Sequence, residues 1–327
     1  MTKRREAPAG PPPRSPDSLT HLVQLALVAR QYFIEGSNKS AIAKQFGISR
    51  FKVARLLDEA RAREIVRIEI AMPPTVLDLE LSTAVAGRFG LHRAFVLHER
   101  DLPKEAAREQ LGALTASVLA DTLREGSVLG VAWGRILDTM ADALQDLPGC
   151  SVVQVVGGMP LAGISLNSLD LVRRIAARTH GPVYSLHAPM IAPDARTAQR
   201  LRNDPQVAKT MQMFSKLTCA VVAIGSWDPP NSLMREILAE TDRQKLTDAG
   251  VVADIVASLV RADGSTARTH LDDRRIAIGE QELRAIPEVI AVAGGADKAE
   301  AIRAVLKGGW VTTLVTDARV ATILLEA

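Results

Sequence analysis

KSAIAKQFGISRFKVARLLD, residues 39–58, decides how the first part of this chain folds. It reads as a short helix, a tight turn at Gly47 and a second helix opened by Ser49. Counted from Lys39, Ala43 is fifth, Gly47 ninth and Val53 fifteenth, the spacing of a helix-turn-helix whose two helices cross closely. Ala43 permits the approach, Gly47 takes positive φ, and Val53 fills the angle between the helices. The Ser49 hydroxyl caps the first turn of the second helix. Val53, Leu56, Leu57 and Ala60 recur at helical spacing as its inner face. Ser49, Arg50, Phe51, Lys52 and Arg55 are left on the side that would meet DNA. Arg50 and Arg55 suit guanine or phosphate, Phe51 a thymine methyl, and Lys52 phosphate. The blander alternative is a solvated basic face on a helical hairpin.

Upstream, Leu22, Leu25, Ala26, Ala29, Tyr32 and Phe33 form an apolar stripe, a support helix over 21–35 that Gly36 ends. Asn38 is placed to cap the next helix. Residues 1–17 hold five prolines among Lys and Arg and predict a disordered basic tail, ahead of a helix-turn-helix domain over 18–72. The alternating IVRIEI at 65–70 predicts a short strand. Pro73 and Pro74 mark a boundary before a linker or oligomerisation helix, residues 73–90.

Charge divides at the same place. Residues 1–67 carry 13 Lys or Arg against 6 Asp or Glu, a net +7, while the remainder carries 27 against 31, a net −4. A basic head on a mildly acidic body suits a nucleic-acid reader joined to something that is not one.

From 91 to 327 the pattern changes to alternating strands and helices. Apolar runs at 94–97, 128–132, 152–156, 183–186, 220–224, 289–293 and 311–315 read as buried strands. Helical stretches at 104–125, 136–144, 169–178 and 300–306 lie between several of them. The predicted fold class is therefore an N-terminal all-α helix-turn-helix domain joined to an α/β domain with a largely parallel sheet. A hairpin is expected at Asp263 and Gly264, where DG separates two strand-like runs.

Ligands of open α/β sheets sit beyond the carboxyl ends of the strands. Glycine-rich loops follow several predicted strands: Trp133, Gly134 and Arg135; Gly157 and Gly158; Gly225; Gly294 and Gly295, with Lys298 close behind. Each glycine could simply turn the chain, but several loops at one end of a sheet predict a shared pocket, with Arg135 and Lys298 as cations for an anionic group. Asp254 and Asp317 are placed to accept hydrogen bonds from hydroxyls, Asp317 equally to cap the last helix. His187 has no partner that would make it catalytic. Cys150 and Cys219 fall in or beside apolar runs without CxxC spacing, as buried thiols of a reducing compartment would. No signal peptide or spanning segment is visible, so a cytoplasmic location is expected. No cofactor or metal is expected.

Residues 28–36 (VARQYFIEG), 48–61 (ISRFKVARLLDEAR), 130–135 (GVAWGR), 152–158 (VVQVVGG) and 286–317 (IPEVIAVAGGADKAEAIRAVLKGGWVTTLVTD) resemble SorC-family bacterial transcriptional regulators, in order and over nearly the whole chain from about Leu22. The resemblance implies an effector domain similar to sugar-phosphate isomerases and glucosamine-phosphate deaminases, a dimer or tetramer, and operator binding controlled by a phosphorylated sugar. It also implies that GVAWGR forms an effector loop, and that Gly294, Gly295 and Lys298 form a phosphate-proximal one. Several positions depart from the family: Ala132 where Ser or Thr is usual, Ala253 where glycine is common, IVASLV at 255–260, and HAPM at 187–190. These changes point to a different ligand or a weaker response to phosphosugars.

Three functions compete on the sequence: a DNA-binding regulator sensing a metabolite, an isomerase or deaminase, and a structural nucleoid protein. The regulator leads; proton transfer on a sugar needs a positioned carboxylate or histidine, and AIGSWDP at 223–229 offers Asp228 without the histidine of a GxDGHxxF-like constellation.

Overall fold

The computed structural model describes residues 18–66, 77–98, 102–159 and 168–326, and the chain divides into two compact units, Met1–Ala71 and Met72–Ala327. The expected tail at 1–17 and residues 67–70 of the expected IVRIEI strand lie outside the described residues.

Three helices build the first unit: α1 (Leu19–Phe33), α2 (Lys39–Phe46) and α3 (Arg50–Ala62). Each starts on a side chain that accepts from a free backbone N–H: Ser18 from His21 at 3.3 Å, Asn38 from Ala41 at 2.9 Å, Ser49 from Lys52 at 3.1 Å. Gly47 stops α2 in the left-handed region, at φ 61°, which L side chains adopt only at a cost. Leu25, Val28, Ile42, Val53, Leu56 and Ala60 interlock as the core. His21 bridges to Glu59 at 2.9 Å, tying α1 to α3.

The second unit is a mixed α/β fold. Seven strands, β1 (Arg93–Leu97), β2 (Val128–Val131), β3 (Ser151–Gln154), β4 (Val183–Tyr184), β5 (Cys219–Ser226), β8 (Glu288–Val292) and β9 (Thr313–Asp317), form a parallel sheet in the order β1-β9-β8-β5-β2-β3-β4. All seven coincide with the apolar runs expected to be strands, because a parallel sheet covered on both faces needs unbroken aliphatic stretches such as CAVVAIGS. β6 (Val251–Ile255) extends β5 antiparallel, and β7 (Ser258–Arg261) pairs with β6.

Here the structure corrects the expected hairpin. The two-residue turn that joins β6 to β7 is Val256–Ala257, both with positive φ (45° and 62°). The DG at 263–264 makes a lesser return that bridges Val260 to Thr266. Asparagine and glycine are the usual signals for such a turn, and neither is present.

α4 (Leu79–Phe89) is capped by Asp78 and packs on β1 and on α14 (Ala318–Glu326). Asp78 N–H donates to Val96 O at 2.9 Å. This helix, expected in the linker, therefore belongs to the second unit. α5 (Lys104–Thr122), α6 (Arg135–Ala143), α7 (Ser168–Thr179) and α13 (Ala299–Lys307) also pack on the sheet. Shorter helices complete the unit: α8 (Ala195–Arg202), α9 (Pro205–Met211), α10 (Leu233–Ile237), α11 (Glu240–Asp248) and α12 (Glu280–Arg284). Among the described residues, no helix is long and apolar enough to cross a membrane.

Candidate functional site

The connectivity of the sheet fixes where a ligand can sit. From β2 the chain moves outward through β3 to β4, then returns to place β5 on the other side of β2 and moves on to β8 and β9. Loops leaving β2 and β5 therefore part in opposite directions, opening the crevice in which ligands of such sheets bind. A pocket of about 460 Å³ occupies this place. It is lined at six strand ends: Leu97 on β1, Ala132 after β2, Val156 after β3, Ala223 to Gly225 on β5, Ala293 to Gly295 after β8, and Asp317 on β9.

Trp133, Gly134, Arg135, Asp254, Gly294, Gly295 and Lys298 all line it. Gly157 and Gly158 do not. Their N–H groups are consumed by backbone carbonyls, Gly157 to Ile276 at 2.9 Å and Gly158 to Ala188 at 2.8 Å. A Cβ on Gly157 would come within 2.7 Å of the Pro189 and Met190 backbone. These two glycines permit close chain packing and offer no free donor to an anion. His187 and Asp228 are exposed and outside the lining.

Asp254 and Lys298 form the electrostatic centre. Asp254 Oδ1 is closed off from solvent and has no hydrogen-bond partner among the described residues. A Cβ on Gly225 would collide with it, so glycine is what lets the carboxyl lie there. Burial pushes the Asp254 carboxyl above the usual carboxylate range, against the opposing pull of Ser232 and Lys298. Burial likewise lowers the Lys298 ammonium, against the attraction of Asp254 and Asp297 and with help from Arg135 and Arg108. Lys298 Nζ donates to Ile224 O at 3.0 Å. Two charges of opposite sign are thus held short of full solvation beside a polar oxygen without a partner.

Further cations line the same pocket: Lys104 and Arg108 near the start of α5, and Arg319. Three of the lining cations lean on carboxylates at its edge, Arg135 on Glu236 at 2.6 Å, Arg108 on Glu105 at 2.9 Å and Lys104 on Asp297 at 3.8 Å. An entering anion would compete for cations already in place. Asp317 caps α14 through Val320 N–H at 2.9 Å and also takes Gly295 N–H at 2.7 Å. Both its oxygens are engaged and the Gly295 donor is occupied. The indole Nε1 of Trp133 is buried without a partner among the described residues. Sequence reasoning missed Lys104, Arg108, Val256 and Ala257. The i, i+4 pair Lys104 and Arg108 was the available signal, whereas nothing local marks 256–257 as lining.

In the first unit, Ser49, Arg50, Phe51, Lys52 and Arg55 are all exposed, and Phe51 reaches 83% exposure. Val53, Leu56, Leu57 and Ala60 are buried. The face division expected for α3 is the one observed.

Known proteins agree with this architecture. The family described as "Putative sugar-binding domain" matches residues 74–326. The transcriptional regulator YjhU of Escherichia coli K12 is 28% identical over 303 residues, covering 90% of this chain and 92% of that protein. The deoxyribonucleoside regulator of Bacillus subtilis is 25% identical over 300 residues, covering 91% and 96%. The crystal structure of the full-length sorbitol operon regulator SorC from Klebsiella pneumoniae superposes with a TM-score of 0.82 at 22% identity, covering 93% of this chain and 98% of that one. This chain belongs to the SorC family of transcriptional regulators, which carry this sugar-binding domain.

Proposed function

We propose that α2 and α3 form a helix-turn-helix that reads operator DNA, and that the pocket of the second unit holds a small anionic effector, a phosphorylated sugar or related metabolite. The supporting observation is the pocket itself: Lys298, Arg135, Arg108 and Lys104 line one cavity with a buried carboxyl oxygen that lacks a partner among the described residues. A phosphate would take the cations, and a hydroxyl would satisfy Asp254. Much of the remaining lining, Leu111, Ala132, Trp133, Val156, Leu233 and Val256, is apolar and offers few partners for a polyhydroxylated ring. With Ala132 lacking a hydroxyl, this composition favours a small or deoxygenated phosphosugar.

Arg50 and Arg55 contact base edges or phosphates, Lys52 and Ser49 the backbone, and Phe51 an apolar base edge. The protein acts as a dimer or tetramer in the cytoplasm, since one reading head touches too few base pairs alone. Effector binding acts through unequal affinity for DNA-competent and DNA-incompetent states. A thermal-shift screen of phosphorylated sugars beside their unphosphorylated counterparts tests the pocket, because a ligand that binds only the folded state raises the midpoint. Shifts from the phosphorylated members alone support it. Equal shifts from both, or none, contradict it.

A further inference from the structure

Helix α1 has a second face that the three-helix core does not use. Leu25, Val28 and Ala29 are buried, yet Leu19 is 77% exposed, Val23 48%, Leu27 46%, and Ile34, just past the helix end, 79%. Ala26 is exposed among them. The positions follow one another at three- and four-residue steps and so share one side of the helix. Of the seven large hydrophobic side chains exposed among the described residues, four are here. A helix face turned to solvent is ordinarily polar. Arg30 is the cation in this row, and its Nε lies 3.2 Å from Glu35 Oε1.

We propose that this face pairs with the same face of α1 in a second copy of the chain, joining two reading heads in the assembly that engages DNA. The inference rests on the DNA-reading assignment above. A two-fold pairing needs a self-complementary surface. An apolar row whose cation is offset by its own Glu35 places no unbalanced like charges across the dyad. DNA does not fit this face, since the exposed cations expected to meet it, Arg50, Lys52 and Arg55, are on α3.

Size sets the regime in which the pairing works. Fifteen residues make a helix roughly 22 Å long, too short for one of its faces to supply the roughly 800 Å² per partner of a standard interface. The contact cannot hold two free chains together. It acts once they share an oligomer or a DNA site, where effective concentrations reach the millimolar range. Because α1 packs on α3, pairing α1 with α1 fixes the separation of the two recognition helices and hence the half-site spacing.

The test uses the full-length chain carrying Val23→Cys, treated with a short bismaleimide. Cys150 and Cys219 are both free and buried, and burial pushes the Cys219 thiol up to about 12, so the engineered thiol is the reactive one. Gln45→Cys, exposed on α2, is the collision control. We expect a covalent dimer from Val23→Cys, increased by DNA from upstream of the protein's own gene, at least tenfold more abundant than from the control. Leu27→Glu added to Val23→Cys should reduce it tenfold. Leu27→Glu alone should weaken binding to that DNA at least tenfold with the melting midpoint unchanged, while Leu27→Met behaves as wild type. Cross-linking no greater than the control, unchanged DNA affinity of Leu27→Glu, or a Val23→Cys thiol inert to a monofunctional maleimide, which would show the face covered within the chain, each overturns the pairing. If the wild-type chain ignores the DNA while Val23→Cys still cross-links above the control, the pairing stands and the DNA-reading assignment falls.

Discussion

Arg50 and Arg55 stand exposed on the first turns of α3 with the apolar side of the helix closed beneath them. Replacing either by Ala should cost about 1–3 kcal/mol of operator affinity if it reads a base and leave the melting midpoint unchanged. Anisotropy titration at fixed salt checks the first expectation and a thermal melt the second. In the pocket the sign is different, because Asp254 and Lys298 are held there against their own solvation. The Asp254 pKa is raised on folding. Its contribution to stability is therefore complete below the unfolded value of roughly 3.9 and is lost as pH rises through the folded value. Asp254→Asn does not titrate and should gain midpoint on wild type as pH climbs from 4 to 8, while losing any response to phosphosugars. A constant difference across that range would contradict the burial argument. The residue types at these positions were legible in the sequence. The spare oxygen of Asp254 was not, because it depends on Gly225 of a neighbouring strand lacking a Cβ.

Elements were easier to read than their joints. The caps Asn38 and Ser49, the αL glycine and seven aliphatic strands each follow from local chemistry, and each appears where expected. The β6–β7 hairpin was not legible, since Val256 and Ala257 adopt positive φ without the glycine or asparagine that would announce it. Packing decides there, as both residues are buried. Gly157 and Gly158 misled in the opposite way: a GG after a strand looks like an anion loop, but its donors are spent on backbone partners. Gly47→Ala isolates the conformational contribution at the turn before α3, because nothing lies within 4 Å of the added methyl. It should destabilise the first unit by about 1–2 kcal/mol, read by chemical denaturation. Gly225→Ala should act through collision with Asp254, abolishing effector response while DNA binding without effector persists. Retained response would mean the carboxyl lies elsewhere.

Charge changes along the chain as fold does: residues 1–67 carry a net +7 and the remainder −4, and within that remainder Lys104, Arg108, Arg135, Lys298 and Arg319 line one pocket. A regulator of this kind links two binding equilibria. Effector changes DNA affinity by the same factor as DNA changes effector affinity, typically about 5–150-fold. The measurement that tests this most directly is the dissociation constant for DNA from upstream of the protein's own gene, with and without each phosphorylated sugar that raises the melting midpoint, in wild type and Lys298→Met. We predict a shift of fivefold or more in wild type. In Lys298→Met we predict no shift and an unchanged constant without ligand. A phosphosugar that raises the midpoint but leaves the DNA constant untouched, or a Lys298→Met protein that responds as wild type does, would contradict the account.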